Sequence, residues 1–67
     1  MAIYTIEMDR GNGWEVRAQD ELPVTADDLR DMLLQIKMEL TRYAIQYPHR
    51  ALADGVELAR AQPGRRR

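Results

Sequence analysis

The stretch TADDLRDMLLQIKMELTRYAIQY, residues 25–47, decides how this chain folds. Read at about 100° per residue, it predicts one long helix with apolar side chains on two opposite faces. The main stripe is Leu29, Met32, Leu33, Ile36, Leu40, Tyr43, Ala44 and Tyr47, all within roughly 60° of one line. Nearly opposite stands a second patch, Leu34, Met38 and Ile45, with Thr41 beside it. Asp28, Gln35, Glu39, Arg42 and Gln46 fill one polar seam, and Arg30 and Lys37 mark the other. Such a helix would be about 33–35 Å long. It needs apolar partners on two sides, and 67 residues leave little chain to supply them. The pattern points to self-association or to a protein partner.

The flanking segments complete the expected architecture. Tyr4, Ile6 and Met8 alternate with Ile3, Thr5 and Glu7, and Trp14, Val16 and Ala18 alternate with Glu15, Arg17 and Gln19. Alternation at period two predicts two strands, joined by the turn residues Asp9-Arg10-Gly11-Asn12-Gly13. A two-residue Asn12-Gly13 turn would put Tyr4, Ile6 and Met8 on the same face as Glu15 and Arg17. An odd loop of three or five residues pairs Met8 with Trp14, Ile6 with Val16 and Tyr4 with Ala18, giving one apolar face, and is preferred. Pro23 disfavours helix at Leu22. Thr25 is placed to cap the long helix, in a capping-box pattern with Asp28, and Pro48 ends it. Residues 49–61 read as a shorter amphipathic helix, with Leu52, Val56 and Ala59 on one side. Residues 62–67, Gln-Pro-Gly-Arg-Arg-Arg, read as a disordered basic tail.

The expected fold is therefore α+β with the order β-β-α-α. One small domain spans residues 1–61: a hairpin over 2–19 packs on a long amphipathic helix over 25–47, and a short second helix follows over 49–61. Dimerisation would complete it. That order is similar in outline to the ribbon-helix-helix DNA-binding family, which also dimerises through an N-terminal strand and two helices. Members of that family have one short strand and a short first helix, where two strands and a helix twice as long are expected here. The segment Tyr4-Thr5-Ile6-Glu7, with Gly13-Trp14-Glu15-Val16 and Leu22-Pro23, is similar in rhythm to the hairpin of HicB-like antitoxin domains. Those domains continue into further strands, which the reading above does not expect in this chain, and neither family is assigned.

Composition narrows the function. A core this small rarely supplies more than about 3–5 kcal/mol without a disulfide, a metal or oligomerisation. The chain has no Cys and one His, which excludes disulfides, thiolate metal sites and histidine clusters. Self-association or target binding is the remaining source of stability. No signal peptide or transmembrane stretch is read, and the longest purely apolar run is the three residues Met32 to Leu34. A cytoplasmic protein without membrane contact is expected. Formal net charge is −1, but residues 1–31 carry eight acids against three Arg, and residues 32–67 carry three acids against seven bases. The acidic half includes Asp20, Glu21, Asp27, Asp28 and Asp31, a candidate contact for a basic partner. Part of that belt is ordinary electrostatics, since acids favour a helix N-terminus.

No catalytic constellation emerges. His49 with Asp54 or Glu57 is the one acid–base candidate, and His49 after a helix-ending proline reads as a solvated turn residue. There is no Ser, and Thr5, Thr25 and Thr41 have no activating base at a recognisable spacing. Gly11-Asn12-Gly13 precedes a strand and so is a turn, not a phosphate cradle. No enzyme and no cofactor are expected. Arg60, Arg65, Arg66 and Arg67 could contact phosphate, but the folded part is acidic, so nucleic-acid binding should be weak. The expected function is a non-catalytic protein–protein interaction module: a small homodimeric regulator or inhibitor of a larger protein. Its interface would be Leu34, Met38, Thr41 and Ile45. A small structural or assembly subunit is the alternative, as is a nucleic-acid-binding dimer using the Arg tail.

Overall fold

The computed structural model describes residues 1–64. The chain forms β1 (Ala2–Asp9), β2 (Trp14–Leu22), α1 (Ala26–Asp31), α2 (Leu33–Tyr43), β3 (His49–Ala53) and β4 (Val56–Ala61). The four strands make one antiparallel sheet in the order β2-β1-β3-β4. The expected β-β-α-α order is thus overturned at its C-terminal end, where a second hairpin replaces the short helix over 49–61. The single long helix over 25–47 is overturned as well.

The second hairpin turns at Asp54-Gly55, both with positive φ, +51° and +84°. That is the conformation of a two-residue type I′ turn, and Asp-Gly is among its preferred sequences. The flanking alternation is carried by alanine: Ala51 and Ala53 on β3, Ala59 and Ala61 on β4. Alanine favours helices in isolation. Tertiary pairing decides instead. β3 adds to the inner edge of β1, with Ile6 opposite Ala51 and Tyr4 opposite Ala53. Asp54 seals the junction: its N–H donates to the Ile3 carbonyl at 2.9 Å, and its carboxylate accepts from the Ile3 N–H at 2.9 Å.

The first hairpin exists, but its expected odd loop does not. Asp9 opposes Trp14 and Met8 opposes Glu15, leaving four residues in the loop. The Asp9 carboxylate accepts from the Gly11 and Gly13 N–H groups at 2.7 and 3.3 Å, and both glycines have positive φ. The even loop puts Trp14 and Val16 on the face opposite to Met8. A β-bulge at Arg17 then adds one residue, so Ala18 opposes Ile6 and Leu22 opposes Ala2. The bulge restores the apolar face for the second half of β2 only.

Thr25 caps α1 as expected, with the reciprocal hydrogen bonds of a capping box to Asp28, both 3.1 Å. The helix breaks at Met32, which is at once the end of α1 and the start of α2. Neither Gly nor Pro marks that break. α2 ends at Tyr43, four residues short of the expected limit. Of the main stripe, Leu29, Ile36, Leu40 and Ala44 are buried, whereas Met32, Leu33, Tyr43 and Tyr47 stay partly exposed. The core is Ala2, Ile6, Leu29, Ile36, Leu40 and Ala44 with the four alanines of β3 and β4. α2 lies across β3 and β4, in a thin molecule of 40 × 24 × 14 Å. No helix among the described residues is long and apolar enough to cross a membrane. Of the expected tail, residues 62–64 follow β4 without regular structure, and residues 65–67 lie outside the described residues.

The Asp54-Gly55 turn supplies a test of the second hairpin. A Cβ at Gly55 would touch nothing, so Gly55→Ala carries only the backbone cost of a left-handed conformation, about 1–2 kcal/mol. Gly64→Ala, in open space with ordinary φ, should change stability by less than about 0.5 kcal/mol. Thermal melting of the two variants against the parent checks this; a neutral Gly55→Ala would contradict the turn.

Candidate protein-interaction surface

The second apolar patch remains on the outside of α2. Leu34 is 70% exposed, Met38 61% and Ile45 76%. Leu34, Met38 and Thr41 follow one another on α2 at spacings of four and three, which on a helix makes a short ridge. Ile45 stands just beyond the helix end, its N–H bonded to the Tyr43 carbonyl at 2.8 Å. The Thr41 hydroxyl donates back to the Lys37 carbonyl at 2.9 Å and leaves the methyl group to solvent. The segment that could have folded over this ridge, residues 49–61, is instead part of the sheet.

The candidate acidic contact is divided between β2 and α1. Asp20 and Glu21 lie on β2, an edge strand. Asp27 pairs with Arg30 at 3.0 Å, Asp28 is used in the capping box, and Asp31 ends α1. Among the described residues no three His, Asp or Glu side chains are grouped to hold a metal ion.

Arg60, a candidate phosphate contact, is engaged on the sheet face that carries no helix. Its guanidinium meets Glu57 at 2.7 Å and lies 5.2 Å from the Trp14 ring centre. Arg50 lies 4.5 Å from the same ring and bonds Glu7 at 2.7 Å and Glu57 at 3.3 Å. Those guanidinium bonds hold the Glu57 carboxyl below its usual range. The network joins β1, β2, β3 and β4 across that face, with Trp14 under two cations rather than free to stack on a base. Arg65, Arg66 and Arg67 lie outside the described residues.

His49 is the largest departure from the expectation of a solvated turn residue. It opens β3 and is only 2% exposed. Arg17 Nη1 lies 2.8 Å from His49 Nε2, and His49 Nδ1 lies 2.9 Å from the Tyr47 carbonyl. Arginine has donors only, so Nε2 presents its lone pair and Nδ1 carries the hydrogen. The bulge at Arg17 makes this contact, and the same guanidinium stacks 5.2 Å from the Tyr43 ring. His49 is thereby committed to holding β2, β3 and the end of α2 together.

Because α2 lies over β3 and β4, its side and the helix-facing side of β1 and β2 enclose a groove of about 300 Å³. Tyr4, Ile6 and Ala18 form its floor, Glu39 and Asp20 flank it, and Arg17, stacked on Tyr43, bounds it at one end. Burial, then the neighbouring Glu39 and Tyr43, push the Tyr4 phenol above its ordinary range. Sequence reasoning missed this groove. Its signal was the polar helix-side face of β2, which a fully covered strand would not carry.

Two measurements check the site. Arg17→Ala leaves the His49 Nε2 buried without a donor and should lower stability by about 1–3 kcal/mol; nitrogen-15 spectra of the parent should find the ring hydrogen on Nδ1. In alkaline titration, the phenolate absorbance lost in Tyr4→Phe should be that which rises above the ordinary tyrosine range. The fold disfavours the Tyr4 anion, so stability should fall as pH climbs from the value of an unfolded tyrosine through that of the folded one. Compared with protein-family models, with curated proteins and with solved structures, the chain matches none.

Proposed function

We propose that this chain is a non-catalytic protein-interaction module that works as a homodimer, a small regulator or inhibitor of a larger protein. The observation that carries this reading is the outward ridge of α2. Leu34 and Met38 in line on one exposed helix face, with Ile45 exposed just beyond the helix end, are more than isolated surface residues, and such patches mark interaction sites. Met38 suits the role, since a thioether adapts to varied surfaces. Supporting it, the one histidine is spent on the fold, and the described arginines 10, 30, 50 and 60 are each paired with a carboxylate. The pairing argues against phosphate binding by the sheet. A cytoplasmic setting belongs to the same reading and rests on the absence of cysteine.

A structural or assembly subunit is the second reading. It is favoured by the two outer strands, β2 and β4, each with one edge unpaired among the described residues. Charged residues and a bulge blunt both edges, which favours the regulator.

Sedimentation at micromolar concentration should give twice the chain mass of 7.8 kDa. Met38→Asp should return a folded monomer, because a carboxylate buried in an apolar contact is costly while the core of α2 lies on its other side. A parent chain that sediments as a monomer at all accessible concentrations overturns the homodimer. Recovery of a stoichiometric larger protein on the parent from native lysate, rather than long self-assemblies, separates regulator from assembly subunit.

A further inference from the structure

The sheet is wider than the helix that covers it. Strands stand about 4.8 Å apart, so four strands with their margins span about 19 Å. A helix with its side chains is about 10–12 Å across and covers two. α2 covers β3 and β4, and the helix side of β1 and β2 is left as the groove floored by Tyr4, Ile6 and Ala18. Beyond the Arg17–Tyr43 stack the depression continues past Met8, Ile45 and Tyr47. The uncovered strip is one helix wide.

We propose that the occupant of this groove is α2 of a second copy of the chain, docked by its exposed Leu34 and Met38 face, in a reciprocal dimer. This rests on the homodimeric reading above and specifies its geometry. A two-fold axis parallel to the strands, set between the molecules at the height of the helices, places each α2 between two sheets. Its inner face rests on its own β3 and β4, and its outer face rests on the partner's β1 and β2. The two helices then lie side by side about 8–10 Å apart, an ordinary packing distance. The result is a sheet, a layer of two helices, and a second sheet. Each apolar face of α2 gains a sheet to lie on, and each sheet gains its missing second helix.

Charge supports the same occupant. Arg42 stands beside the ridge and has no carboxylate partner among the described residues. Asp20, on the rim of the groove, has no cationic partner there either. Docking brings the basic flank of one copy to the acidic strand of the other.

The absence of cysteine makes the test clean. Ala18 and Met38 are both exposed, so cysteine at either position should leave the fold intact. Within one chain they face different ways, Ala18 into the groove and Met38 away from the sheet. The chain carrying both Ala18→Cys and Met38→Cys should therefore be joined into a covalent dimer by a short bismaleimide. Met38→Cys alone should give at least tenfold less, because the two ridges point to opposite sheets. Efficient cross-linking of Met38→Cys alone, in a chain that sediments as a dimer, overturns the reciprocal arrangement in favour of ridge-on-ridge packing and leaves the homodimeric reading standing. A chain that sediments as a monomer and cross-links in neither variant overturns both.

Discussion

Close approach of α2 to an alanine floor is the constraint on which the rest of the structure depends. Ala51, Ala53, Ala59 and Ala61 present a flat surface on β3 and β4, and Ala44 matches it from the helix. Small residues let Ile36 and Leu40 reach the sheet directly, and with Ile6, Leu29 and a layer of methyl groups they close the core. The consequence is lateral. A helix drawn down onto β3 and β4 cannot also lie over β1 and β2, and the groove follows from that offset.

Much of this was legible in residues and some was not. The first strand pair, the Thr25–Asp28 cap and the two apolar faces of α2 follow from local pattern, because each rests on neighbours within a few positions. The break at Met32 has no local signal, since both halves of the helix read as one period. The second hairpin did carry a signal in Asp54-Gly55. The helix reading of residues 49–61 did not use it; alanine's helix preference is a property of isolated chains, whereas β3 is held by its pairing with β1. The hairpin register failed for a related reason. A search for one unbroken apolar face finds an odd loop, while the chain uses an even loop and corrects it with a bulge.

The site was legible in its residues and not in its surroundings. Leu34, Met38 and Ile45 stand out on a helical projection, and they are exposed because residues 49–61 joined the sheet instead of folding over them. The groove could not be read in advance, since it arises from a helix placed off-centre on strands whose number was not known. His49 shows the same limit. Its neighbours in sequence, Pro48 and Arg50, say turn and solvent, and its partner Arg17 is 32 positions away.

The bulge at Arg17 gives the chain something like a reading frame. Up to Val16 the side chains of β2 are set by the four-residue loop; from Ala18 onward they are set by the extra residue. Exchanging one side chain for another in this strand leaves that phase alone. Removing one residue between Val16 and Ala18 would instead send Trp14 and Val16 through to the helix side, or force Ala18 and Leu22 out of it. The length of β2 at this point therefore ties the aromatic network on one face to the groove on the other.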